Sequence, residues 1–174
     1  MANILLTGLP MPPSSNNCYI TSRQTGGRFP SKELKTFQRD MRQWRLEHLA
    51  MANRAKAELV ARFKSEQRFI RVDRYFFFPR HQLVNLDGTP KRMDASNRIK
   101  ALDDSLGEDV LGIDDAWFAA GSCEKALADE GSPASVTVCM TLWELGDETR
   151  ILRKGLSGGS VIPWAVHAQR KSTP

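Results

Sequence analysis

Cysteine is scarce: Cys18, Cys123 and Cys139 are the three in 174 residues, and they lie far apart. They form no CxxC zinc pattern. They suit a reducing compartment, so a cytoplasmic protein is expected. No apolar run approaches the ~18 residues that a membrane span needs. The opening MANILLTGLPMPPSS has no basic segment and too short an apolar stretch for a secretory signal. Histidine is equally thin. His48 falls on a core-like stripe, His81 in a loop and His167 near the end. No Ser/His/Asp or Cys/His arrangement is in view, so nucleophilic hydrolysis of that kind is not indicated. No glycine-rich phosphate loop is present either.

What remains is ordinary in bulk and uneven in charge. Hydrophobic residues make up 41% and charged residues 26%, as in a globular domain able to bury its own core. Residues 1–92 carry 17 Lys/Arg against 7 Asp/Glu. Residues 93–148 reverse this, with 3 against 13, and residues 149–174 carry 5 against none. A basic half beside an acidic segment fits a protein that binds a polyanion and holds a cation where it acts. A solvated basic helix with some loop carboxylates is the bland alternative.

The periodicity predicts a short strand over 3–8 and a turn at 14–17, after Pro10, Pro12 and Pro13. A flexible basic loop is expected over 21–29. A helix over 32–64 follows, capped by Ser31 and able to break near Ala52 and Asn53. Its stripe of Leu34, Phe37, Met41, Trp44 and His48 reads as core. Phe69–Phe78 is the clearest strand. A polar loop spans 80–92, turning at Asp87 and Gly88. A second helix is expected over 94–106, closed by Gly107, then two strands over 119–127 and 134–145. The order strand, helix, strand, helix, strand, strand implies an α/β fold: a single domain over 1–146, a mixed sheet with helices packed on it. Residues 147–174 read as a basic tail, flexible or partner-binding.

The chemical signal lies in residues 91–115, KRMDASNRIKALDDSLGEDVLGIDD. On a helix advancing ~100° per residue, Ile99, Leu102 and Leu106 share one side. Asn97, Lys100 and Asp104 share the other, with Asp94 at its edge and Asp103 between the two. After a strand-like Leu111–Ile113, Asp114 and Asp115 could swing back to the same place. Carboxylates grouped with one lysine suit metal-assisted phosphodiester cleavage. Mg²⁺ takes hard oxygen ligands and keeps several waters, so few carboxylates suffice. A nearby ammonium can neutralise charge growing on the phosphate. Each residue also has a structural reading. Asp94 could be a helix cap, Lys100 and Asp104 an i,i+4 surface pair, and Asp114 with Asp115 a turn.

The chain resembles the RusA family of Holliday junction resolvases, common in bacteriophages and prophages. The resemblance covers about residues 8–145. It rests on GLPMPPSSNNCY, DASNRIKALDDSL and LGIDD, in that order and at that spacing. Asp94, Asn97 and Lys100 match the family's Asp-x-Asp-Asn-x-x-Lys pattern, and Asp114 and Asp115 fall at the expected distance. Ser96 stands where the family has a second aspartate.

The resemblance implies an endodeoxyribonuclease in a bacterial host cytoplasm, acting as a homodimer on four-way DNA and dependent on Mg²⁺ or Mn²⁺. It implies catalytic roles for Asp94, Lys100 and Asp115, with metal held by Asp94 and Asp115 and assisted by Asp104. Arg23, Arg28, Lys32, Lys35, Lys91 and Arg92 become candidates for phosphate contacts. Two alternatives stay open: a weak or inactive branched-DNA binder, because of Ser96, and an interaction module acting through the basic tail.

Overall fold

The computed structural model describes residues 3–66 and 68–143. The reading of 147–174 as a basic tail lies outside the described residues. The rest forms a mixed sheet with helices against it, as expected. The strands are β1 (Ile4–Pro10), β2 (Tyr19–Thr21), β3 (Arg28–Pro30), β4 (Phe69–Phe78), β5 (Phe118–Ala120), β6 (Cys123–Leu127) and β7 (Ser135–Trp143). The main sheet runs β1-β7-β4-β5, with β6 also on β4. β1 and β7 are antiparallel; β5 and β6 both run parallel to β4.

Alternation dictates this layering. Ile70, Val72, Phe76 and Phe78 point from one face of β4, and all are fully buried. Val136, Val138 and Met140 on β7 do the same. Against them pack α1 (Lys32–Glu47) and the helical run that ends in the acidic segment. The α1 stripe of Leu34, Phe37, Met41 and Trp44 is buried as expected. Ser31 caps the helix, its hydroxyl accepting from Leu34 N at 3.0 Å.

Several boundaries differ from the sequence reading. The helix breaks at His48, not near Ala52 and Asn53. The His48 ring is half-buried, stacks on Trp44 at 4.6 Å and places Nδ1 2.9 Å from the Trp44 carbonyl. The chain resumes as α2 (Leu49–Ala55), a π-helical turn over Lys56–Val60, and α3 (Ala61–Glu66). The expected flexible loop over 21–29 is the turn of a two-stranded ribbon, β2 against β3, with Ile20 opposite Phe29. The polar stretch after β4 begins with a short helix, α4 (Arg80–Leu83), and closes through a Val84–Pro90 bridge. The strand expected over 119–127 is two strands. Gly121 separates them because its backbone passes so close to Val72 that a Cβ there would sit 1.6 Å from the carbonyl oxygen.

The acidic helix also differs in detail. It opens as a 3₁₀ turn over Ser96–Arg98, continues as α5 (Ile99–Ser105) and runs on as a π-helical segment through Leu106–Leu111. Gly107 therefore does not end it. A Cβ at Gly107 would lie 2.8 Å from the Ile113 carbonyl, so the glycine permits a close approach. Gly112, at φ 70°, is the terminator. Leu111 thus belongs to the helix, not to a strand, and the chain turns back at once.

Candidate active site

That reversal positions the site. Asp114 caps a 3₁₀ turn over Asp115–Trp117, accepting from Ala116 N at 2.8 Å. The turn aims Asp115 back at α5. The Lys100 ammonium donates to Asp104 Oδ1 at 2.5 Å and to Asp115 Oδ2 at 2.9 Å. One cation thereby joins carboxylates 4 residues and 15 residues along the chain. The polar face expected from the wheel is the face observed. Leu102 and Leu106 are fully buried beneath it, while Asn97 and Lys100 are exposed.

The electrostatics are asymmetric. Hydrogen bonds to Asp104 and Asp115 raise the Lys100 pKa well above that of an ordinary lysine. Lys100 in turn holds the Asp115 carboxyl below the usual carboxylate range. Burial pushes Asp104 upward, and the neighbouring Asp115 adds to that, against the pull of Lys100. Two adjacent carboxylates with opposed shifts are a site that gains from added positive charge.

Asp94 has a different partner. Its Oδ1 accepts from the Ser96 hydroxyl at 2.6 Å and the Ser96 amide at 2.9 Å. Those bonds, the hydroxyl first, hold its carboxyl below the usual range and keep it ionised. Ser96 therefore orients Asp94. Lys125 adds a favourable charge nearby, and its ammonium donates to the Met93 carbonyl at 2.9 Å. Among the described residues no three His, Cys, Asp or Glu side chains gather as a metal-binding group. Of the expected trio, Asp104 and Asp115 share Lys100, while Asp94 bonds to Ser96. The pair still offers hard oxygen donors, which suit Mg²⁺ or Mn²⁺ carrying much of its own water.

Behind the pair lies an interaction that the sequence reading passed over. Asp103 takes two bonds from Arg74, Nε at 2.8 Å and Nη2 at 2.6 Å. Arg74 Nη1 also donates to the Val72 carbonyl at 2.7 Å. Both residues are buried. Burial raises the Asp103 carboxyl, with Arg74 opposing. The signal was available: in the alternation of β4, Arg74 occupies a core-facing position and requires a buried partner.

The basic candidates fall into two groups. Arg23 and Arg28 belong to the ribbon, where the Arg28 guanidinium lies 4.9 Å over the Tyr19 ring. Lys32 and Lys35 follow on the first turn of α1, exposed. Lys32 lines a cleft of about 690 Å³ with Pro12, Asn17 and Arg98. Arg98 donates to the Pro12 carbonyl, and its buried Nε has no acceptor among the described residues. Lys91 and Arg92 lead into Asp94. The Lys91 ammonium donates to the His81 carbonyl at 2.7 Å, so that lysine also braces its loop.

A family model, Endodeoxyribonuclease RusA, matches residues 10–139. The chain belongs to the RusA endodeoxyribonuclease family. The match runs from the last residue of β1 into β7 and includes every candidate residue named above. Comparison with curated proteins finds no matching relative. RusA membership implies an endonuclease that resolves Holliday junctions. No described helix is long and apolar enough to cross a membrane.

Proposed function

We propose that this RusA-family chain is a divalent-cation-dependent nuclease that resolves four-way DNA junctions by paired nicks, acting as a homodimer. The observation that carries this reading is the Lys100 ammonium shared between Asp104 and Asp115 on an exposed face. Asp104 and Asp115 would hold the cation, with Asp94 the further ligand. When bound, it supplies the charge that polarises the scissile phosphate and acidifies water.

The protein's own groups do the rest. Asp115, kept ionised by Lys100, orients the attacking water. Asp94, locked by Ser96, presents its second oxygen in a fixed direction. Lys100 carries positive charge throughout the working pH range and stabilises the phosphate as charge develops on it. In-line attack leaves 5′-phosphate and 3′-hydroxyl ends. Arg23, Arg28, Lys32, Lys35, Lys91 and Arg92 hold the DNA backbone without reading its sequence.

The test is a synthetic four-way junction with and without Mg²⁺. Symmetric paired nicks that need the cation are expected. Asp94→Asn and Asp115→Asn should abolish nicking and leave junction binding intact; retained nicking in both overturns the assignment. A second reading, a branched-DNA binder of low activity, is favoured by Ser96 and by its bond to Asp94. Under it Ser96→Asp raises nicking strongly; no response argues against it.

A further inference from the structure

The segment between β4 and Asp94 is built as a rigid presenter. After α4, Val84 bridges Pro90 and the chain reverses through five residues. Asn85 N donates to the Thr89 carbonyl at 2.8 Å, and Gly88 N to the Asn85 carbonyl at 3.0 Å. The Asp87 carboxylate accepts from the Thr89 amide at 2.9 Å and its hydroxyl at 2.6 Å. Asn85 Nδ2 closes the ring onto Thr89 Oγ1 at 2.9 Å. Gly88, at φ 84°, supplies the left-handed corner.

The side chain held out by this hairpin is Leu86. Its exposure is 111%, higher than that of any other large hydrophobic residue described. A mobile polar loop would hide or omit such a residue, because exposed apolar area is unfavourable. Here the polar side chains of the turn bond to one another, and the apolar one stands exposed at the rim of a cleft that Leu127 also lines. The chain flanking the turn carries Arg80 before it and Lys91 and Arg92 after it, while Asp87 sits in the turn and Asp129 and Glu130 line the cleft beside Leu86.

The hairpin is also tied to the acidic site. Lys91 N donates to the Leu83 carbonyl at 2.7 Å and its ammonium to the His81 carbonyl, closing the base. Lys125 then holds Met93, the residue before Asp94. Leu86 and Asp94 are eight residues apart, so at most about 28 Å separates them, within about eight nucleotide steps at ~3.4 Å each.

We propose that Leu86 is a wedge that enters the base stack at the branch point of a DNA junction while the basic flanks hold the adjoining phosphates. The proposal rests on the junction-nuclease reading and deepens it. Continuous duplex must unstack a base step to admit an apolar side chain. A branch point already interrupts stacking and presents open base faces. The same leucine therefore enters a junction at little cost and a duplex only at a high one. It distinguishes branched from linear DNA without contacting any base edge.

The test uses the full-length protein without divalent cation and a four-way junction carrying 2-aminopurine at the branch point. The unaltered protein should raise the fluorescence on the junction and leave a linear duplex unchanged. Leu86→Ala should remove that rise and cut the preference for junction over duplex about tenfold in competition; Leu86→Phe should restore both. Arg92→Ala should weaken binding to the two DNAs alike. If the unaltered protein nicks junctions and Leu86→Ala gives the same fluorescence and preference, the wedge is wrong and the nuclease reading stands. If the unaltered protein neither binds nor nicks a junction, both fall. A Leu86→Ser chain that loses its oligomeric state assigns Leu86 to a contact between copies, which also overturns the proposal.

Discussion

Two ion-pair systems share α5 and differ in burial. Lys100 bridges Asp104 and Asp115 with its side chain 72% exposed. Asp103, the residue beside Asp104, pairs with Arg74 at 12% and 7% exposure. The chemistry is nearly the same, but the surroundings differ. Water screens the outer system, so it contributes little to folding and its groups can take new partners. The inner pair is held in place by desolvation, because separating its members would leave an unpaired buried charge. One helix thus carries a fixed, buried ionic anchor beside an exposed, exchangeable one.

The sharpest way to break the comparison is from inside. Arg74→Ala should cost about 3–5 kcal/mol of stability, because Asp103 is then buried without its partner. Replacing both, Arg74→Met with Asp103→Leu, should restore stability or exceed it by about 1–4 kcal/mol. Urea unfolding of the three chains measures this. If the double variant is no better than Arg74→Ala, the pair does more than compensate for its own burial.

The outer system should respond in the opposite sense. Asp115→Asn should lower the nicking rate at least about a hundredfold, ~2.7 kcal/mol of barrier. The same variant should leave stability within about 1 kcal/mol of the parent, since its partner Lys100 is exposed. Single-turnover nicking and a denaturant midpoint, taken together, separate the two quantities.

The smallest effect comes from an intermediate case, Arg71 with Asp73. Burial opposes ionisation of Asp73, but bonds from Arg71 at 2.8 and 2.9 Å and from Ser122 N at 2.8 Å outweigh it. Its folded pKa is therefore depressed, so the stabilisation is present above the ordinary aspartate pKa. It is lost as the pH falls through the lower folded value. Asp73→Asn should cost about 1–2 kcal/mol near neutrality and nothing at strongly acid pH. Midpoints measured from pH 7 down to pH 2 would show the two curves converging.

Much of this arrangement was legible in the order of residues. β4 occupies Phe69–Phe78, the range its alternation indicates, and the acidic helix exposes the face that its spacing assigns. The helix terminator was not legible, because two glycines have different jobs there. Gly107 allows backbones to approach, and Gly112 allows the chain to reverse; composition alone cannot separate close packing from positive φ. The His48 break depends on a ring stacked on Trp44, a contact that periodicity does not encode. The Asp94–Ser96 bond was not legible either, because a serine two residues on can equally point to solvent. The β4 alternation did contain the Arg74 pair, provided that a charged residue in an apolar register is treated as a demand for a buried partner.

The shared lysine has a final consequence. Because its ammonium already balances two neighbouring negative charges, Lys100 would be the resident counterion of the proposed cation site. Any arriving divalent ion competes with it for the same oxygens. Tight retention of the ion and fast turnover are then opposed: neutralising this lysine should strengthen ion capture while slowing the cut that the ion serves.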